Sequence, residues 1–196
     1  MTNKIFIYGG FCCGKTYIAE ELSKKLNIPV YHLDDYYWHG DWEHIDESEL
    51  LLQVKSIAEN EQDWIIEGNY SIIRNFIFPY CNKIYFCYSN LSLTIWRAFK
   101  RSFDKERLGV PKKVRELKCT NEPIFELLLH VSEYRIFKFS KDKKYIKKWK
   151  PCNGTEVIIL KSTNSNVNRE LLKYYDKNQR EENNNEKEIN INIRRI

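Results

Sequence analysis

Gly9-Gly10-Phe11-Cys12-Cys13-Gly14-Lys15-Thr16 has the spacing G-x-x-x-x-G-K-[ST], a complete phosphate-binding loop. Its glycines let the backbone curl until several N–H groups converge on one anion. The stretch before it, Lys4-Ile5-Phe6-Ile7-Tyr8, is a short apolar run of β-branched and aromatic residues, as a buried parallel strand requires. From Lys15 onward, Ile18, Ala19, Leu22 and Leu26 recur at helical spacing, and Asn27 and Pro29 end the pattern. Strand, glycine loop and helix therefore stand in the order the motif needs, with the positive end of the helix aimed at the anion. The expected ligand is ATP with Mg²⁺. Lys15 is suited to reach the β- and γ-phosphates, and the Thr16 hydroxyl to ligate the metal. Gly9, Gly10, Phe11, Cys12, Cys13, Gly14, Lys15 and Thr16 are the expected nucleotide-binding residues; Cys12 and Cys13 occupy positions that tolerate many side chains.

Further along, the same alternation repeats. Val30-Tyr31-His32-Leu33-Asp34 reads as a second strand ending in acid. Residues 47–59 carry Leu50, Leu51, Val54, Ile57 and Ala58 at helical spacing, with Asp46 as N-cap and Glu49 completing a capping box. Trp64-Ile65-Ile66-Glu67 is a third strand, Lys83 to Tyr88 a fourth and Val157 to Leu160 a fifth. Helices are expected over 91–105 and 166–175. Strands alternating with helices imply an α/β fold of the P-loop NTPase type: a five-stranded parallel sheet with helices on both faces, carrying its ligand at the carboxyl ends of the strands. Gly109, Pro111 and Pro123 interrupt the pattern, so 106–150 reads as a helical lid inserted into a 1–175 domain, with one apolar helix around Ile124–Val131. Residues 176–196, rich in Asn, Glu, Lys and Arg, read as a disordered polar tail.

Charge is divided unevenly over the 196 residues. Residues 97–150 hold 17 Lys and Arg against 7 Asp and Glu, whereas residues 1–96 hold 7 against 13. The basic middle suits either a nucleic-acid patch or a set of cations closing over a polyphosphate; the lysines of 138–150 also fit a solvated helical face. The N-terminal apolar stretch is too short for a secretory signal, and no run approaches the roughly 18 apolar residues of a membrane span, so a cytoplasmic chain with no membrane partner is expected. None of the six cysteines forms a C-x-x-C pair, which argues against a zinc site.

Several side chains narrow the chemistry. Glu67 ends the third strand, where a carboxylate can hold a Mg²⁺-bound water beside the phosphates; an ordinary loop acid is the alternative. Asp34, ending the second strand, suits a general base, an acceptor of a substrate hydroxyl bond or a further holder of Mg²⁺, with a helix or turn cap as the alternative. Arg97 and Arg101, four apart, share a helix face fit to neutralise a transferring phosphoryl group, unless they pair with Asp104 or Glu106. Arg107 and Arg115 would join them as the lid closes, and Arg74 would face the acceptor. Tyr36, Tyr37, Trp38 and Trp42 would wall an acceptor pocket, stack on a base or pack beneath the lid.

The series of phosphate loop, Val30-Tyr31-His32-Leu33-Asp34 with Trp38 and Trp42, Trp64-Ile65-Ile66-Glu67-Gly68-Asn69-Tyr70, Trp96-Arg97 with Lys100-Arg101, and Val157 to Ser162 resembles the DNA topology modulation protein family, a branch of the adenylate-kinase-like phosphate-loop proteins. The resemblance spans roughly residues 3–175. It implies a nucleoside-monophosphate-kinase-like sheet with a lid, ATP with Mg²⁺, Glu67 as the third-strand acid (usually aspartate there), Arg97 and Arg101 as lid-base arginines, and Lys161-Ser162 near the adenine.

Two readings of function follow. In the first, the chain is a Mg²⁺-dependent phosphotransferase acting on a small-molecule or nucleotide acceptor, with Lys15, Asp34, Arg97 and Arg101 catalytic, Thr16 and Glu67 on the metal, and Lys161 near the nucleotide. In the second, it is an ATP-dependent regulatory protein that meets DNA through its basic segment. A dinucleotide-dependent oxidoreductase is excluded, because no G-x-G-x-x-G follows the first strand.

Overall fold

The computed structural model describes residues 2–39, 43–103, 124–149 and 154–162. Five strands, β1 (Lys4–Gly9), β2 (Val30–His32), β3 (Trp64–Glu67), β4 (Lys83–Ser89) and β5 (Glu156–Ser162), form one sheet in the order β2-β3-β1-β4-β5. Every neighbouring pair is parallel. The strand that feeds the phosphate loop is therefore the central one.

Alternate residues along each strand pack on opposite faces, as the two-residue period dictates. Ile5, Ile7, Ile65, Tyr85 and Cys87 meet Ile18, Ala19 and Leu22 of α1 (Lys15–Leu26) on one face. Phe6, Tyr8, Trp64, Ile66, Ile84 and Phe86 lie on the other. There they meet Leu50, Val54 and Ala58 of α3 (Glu47–Asn60) and Ile73 and Ile77 of α4 (Ser71–Ile77). Because both faces are covered, the strands read as near-continuous apolar runs. Asn27 stops α1 in the left-handed conformation at φ 55°, and its N–H bonds the Ser23 carbonyl. Gly9, at φ 137°, has to be glycine, since a Cβ there would collide with the Cys87 carbonyl oxygen.

The observed elements depart from the sequence expectation in four places. The second strand ends at His32, and Leu33–Tyr37 forms a short helix, α2. Leu33 is fully buried there, and Asp34 and Asp35 sit in the first turn, which favours acids. Ser71–Ile77 is helical and runs into a 3₁₀ turn over Phe78–Tyr80, a stretch for which no helix was expected. Asp46 does occupy the N-cap of α3, but its side chain makes no capping bond; its backbone carbonyl accepts from Glu49 and Leu50. Beyond α5 (Leu91–Phe103), the chain is described again from α6 (Ile124–Glu133), through a π-helical turn at Tyr134–Lys138, to α7 (Phe139–Lys148). Of the residues expected in the lid, Tyr134, Asp142 and Ile146 are buried, Ile146 in the same cluster as Phe6 and Trp64. The lid positions 106–123, the 166–175 helix and the 176–196 tail lie outside the described residues. No helix among the described residues is long and apolar enough to cross a membrane.

Candidate functional site

Gly9 ends β1, and Gly14, left-handed at φ 91°, precedes the first turn of α1. Between them the loop folds back on itself: the Lys15 ammonium and the Cys13 thiol both donate to the Gly10 carbonyl, each at 2.9 Å. The Gly10 N–H in turn donates to the Cys87 carbonyl of β4 at 3.0 Å, fixing the loop's start to the sheet. Cys12 takes a positive φ of 50° without being glycine, a conformation that local packing has to hold.

Glu67 closes the loop from below. It is only 6% exposed. Its Oε2 accepts from the Thr16 hydroxyl at 3.2 Å and from His32 Nδ1 at 3.1 Å, while Lys15 Nζ stands 4.0 Å from Oε1. Burial alone would raise its pKa, but the His32 bond and the charge of Lys15 reverse that, and the carboxyl is held below its ordinary range. His32 Nε2 lies 2.9 Å from Glu20 of α1. Both partners of the ring accept only, so both nitrogens donate and the ring is an imidazolium. Burial opposes that charge, yet the bonds to Glu67 and Glu20 outweigh it and push His32 up to about 9. Lys15 follows the same logic: burial works against its charge, while Cys13, Glu67 and Asp34 raise its pKa.

Asp34 stands on α2, and its Oδ1 accepts from the Tyr70 hydroxyl at 2.7 Å. Burial, then the adjacent Asp34 carboxylate, drives the Tyr70 pKa far upward, so this phenol stays a donor. Tyr37 packs against Tyr70 at 4.8 Å and stacks on His44 at 4.9 Å between ring centroids, with Trp38 edge-on to both Tyr37 and His44. Trp42 lies outside the described residues. On the other flank of the loop, Arg97 donates to the Ser162 hydroxyl at 2.8 Å and to the Cys12 carbonyl at 3.3 Å. The side chain of Arg101 lies outside the described residues, as do Arg107 and Arg115. Lys161 is exposed near the end of β5, next to buried Ser162.

Arg74 does not face an open acceptor side. It pairs with Asp142 of α7 at 2.6 Å, and its guanidinium lies over the rings of Tyr8 and Tyr145. Tyr134 also donates to Asp142, at 3.1 Å. The Tyr8 hydroxyl and Arg74 Nε have no hydrogen-bond partner among the described residues.

A comparison of the sequence with models of protein families gives no match, and a comparison with curated proteins gives none either. Solved structures do match. A gluconokinase from Sinorhizobium meliloti 1021 superposes with a TM-score of 0.52 at 11% identity, over 92% of this chain and 97% of its own. A sugar kinase from Janibacter sp. gives 0.50 at 12% identity, over 90% and 95%. A shikimate kinase from Bacteroides thetaiotaomicron gives 0.50 at 14% identity, over 89% and 98%. The fold is that of the P-loop kinases. At such identities the likeness is one of backbone architecture.

Within this P-loop kinase fold, the sequence motif and the strand ends lead directly to Lys15, Thr16, Asp34, Glu67 and Arg97. Four contributors were missed in these roles. His32 stands in the quoted second strand without a role, although parallel pairing of β2 with β3 sets it opposite Glu67. Tyr70 lay inside a quoted motif without a role, and Ser162 was placed only near the adenine, not as the partner of Arg97. Asp142 sits in a lysine-rich run, and no local pattern marks it as the partner of Arg74.

Proposed function

We propose that this chain is an ATP- and Mg²⁺-dependent phosphotransferase of the cytoplasm, transferring a γ-phosphoryl group to a small-molecule or nucleotide acceptor that bears a hydroxyl or phosphate. The observation that carries the reading is the convergence of Lys15 and Thr16, from the phosphate loop, on buried Glu67 at the end of the adjacent strand. The resemblance to the DNA topology modulation proteins agrees with it. Thr16 Oγ1 and Glu67 Oε2, 3.2 Å apart, are hard oxygen donors of the kind Mg²⁺ accepts when phosphates and water complete its shell. When bound, the metal neutralises charge across the phosphate oxygens. Lys15 and the loop amides bind the β- and γ-phosphates. With a hydroxyl acceptor, Asp34 orients the group and receives its proton as the new P–O bond forms and the bond between the γ-phosphorus and the β–γ bridging oxygen breaks, releasing ADP. Arg97 and Arg101 stabilise the charge that builds on the transferring group, and Lys161 lies near the base. Residues 106–150 act as the lid.

The test is transfer from γ-labelled ATP to pooled nucleosides, nucleoside monophosphates and hydroxylated metabolites, with Lys15→Ala as control. Transfer to one pool, lost in the control, supports the reading; transfer that survives Lys15→Ala overturns it. A second reading, ATP-dependent association with DNA, draws on α7: Lys141, Lys144, Lys147 and Lys148 are exposed and make no ion pair among the described residues, while the one acid of that helix, Asp142, is turned inward. Duplex DNA affinity that falls steeply with salt is its signature, and no binding at low salt ends it.

A further inference from the structure

We propose that His32, anchored by Glu20, is a positioning residue: it fixes the Glu67 carboxylate and so sets how tightly the nucleotide-filled loop holds its divalent cation. This rests on the phosphotransferase reading above, in which Glu67 serves the metal.

Four side chains from three elements close a ring behind the phosphate loop. Thr16 and Glu20 stand four residues apart on α1 and so share a face of it. His32 and Glu67 are partners in the parallel register of β2 and β3, which sets their side chains next to each other where both strands end. The Thr16 hydroxyl and His32 Nδ1 both donate to Glu67 Oε2, at 3.2 and 3.1 Å. His32 Nε2 donates to Glu20 Oε1 at 2.9 Å. The ring thus begins and ends on the helix that carries Thr16. Glu67 Oε1 is left to Lys15, 4.0 Å away.

A glutamate carboxyl sits at the end of a longer and freer chain than an aspartate's, and its last torsion is broad. Two bonds arriving at one oxygen from different elements remove that freedom before any nucleotide binds. Thr16 alone does this poorly, since 3.2 Å is long for a bond donated by a hydroxyl. His32 is also the one partner of Glu67 that the reading above does not assign to the phosphates or the metal. The side chains of His32 and Glu67 are only 19% and 7% exposed, so water competes weakly for the bond between them. Glu20 behind the ring fixes its orientation, as acids behind metal-site imidazoles do. With both ring nitrogens donating, neither keeps a lone pair for a metal, so His32 acts through Glu67 and not as a ligand.

The probe is Mn²⁺, which suits the same oxygen donors as Mg²⁺. It is titrated into the full chain, held in excess over β,γ-methylene-ATP, and free Mn²⁺ is read by electron paramagnetic resonance. Calorimetry with the same nucleotide in EDTA measures binding without metal. His32→Ala is expected to weaken Mn²⁺ binding about ten- to a hundredfold while nucleotide affinity in EDTA changes less than about twofold. His32→Asn, whose amide can donate where Nδ1 does, should recover part of the loss, and Glu20→Ala should show a smaller one. In the Glu67→Gln background, His32→Ala should add nothing. Wild-type Mn²⁺ affinity in His32→Ala, an equal fall in EDTA, or a loss that adds fully to that of Glu67→Gln overturns the proposal. Should His32→Ala fail to fold, Glu20→Ala decides: a Mn²⁺ affinity equal to the wild type overturns it, and a loss confined to the metal supports it. A chain that holds Mn²⁺ through His32 yet transfers no phosphoryl group leaves this inference standing and counts against the phosphotransferase reading. Transfer that proceeds while Mn²⁺ affinity ignores His32 and Glu20 does the reverse.

Discussion

His32 holds a charge because two carboxylates, Glu67 and Glu20, face its two nitrogens. Its pKa in the folded chain, about 9, exceeds the 6.5 of an unperturbed histidine. The stabilisation it supplies is therefore complete below pH 6.5 and is lost as pH rises through about 9. The melting temperature of the wild type is expected to fall over that window by several degrees more than that of His32→Asn, on the order of 2 kcal/mol. Parallel curves for the two proteins would show that the charge is not stabilising. At Lys15, replacement by Ala removes the cation that meets the phosphates, and transfer should drop on the order of a hundred- to a thousandfold while the melting curve keeps its shape. Residues of this kind are the most legible in the sequence, because a fixed spacing carries their chemistry. Glu67 was readable as the last residue of an apolar run. His32 was not, because its role comes from a strand thirty-odd positions away.

At the scale of elements, α4 and α7 are joined by the Arg74–Asp142 pair, 68 residues apart in sequence. Asp142→Ala would leave a buried guanidinium without its counter-charge and is expected to cost about 3–5 kcal/mol in urea unfolding. A change below 1 kcal/mol would mean that the ring contacts with Tyr8 and Tyr145 suffice. Strands β1 and β4 meet so closely at Gly9 that Gly9→Ala should cost at least about 3 kcal/mol, read the same way. The long elements were legible: β1, β3 and β4 are contiguous apolar runs, and α1 and α3 repeat apolar residues over three turns or more. The short helices α2 and α4, of 5 and 7 residues, were not. Fewer than two turns give no period to detect, and burial of Leu33, Ile73 and Ile77 by tertiary contacts decides their form.

The whole molecule gathers its candidate chemistry along one edge of the sheet. The loop after β1, Asp34 after β2, Glu67 at the end of β3 and Ser162 at the end of β5 all lie at carboxyl ends, as parallel strands require. Alternating strands and helices made this architecture legible. The contents of the acceptor side were not, since Arg74 finds its partner, Asp142, only after folding. Trp64, fully buried on the sheet face that packs against α3 and α4, is a measure of global stability. Trp64→Ala should cost about 3–5 kcal/mol, lowering the denaturation midpoint without changing the loop's contacts. A midpoint within error of the wild type would show that the rest of this core carries the load alone.

The central position of β1 has a kinetic consequence. Its amides are enclosed between β3 and β4 and lie among the most deeply buried side chains. Strands so placed exchange their hydrogens with solvent only when the entire domain opens, whereas β2 at the rim exchanges through local fluctuation. The backbone that enters the phosphate loop is thus expected among the slowest-exchanging stretches of the described residues, which amide hydrogen exchange measures directly.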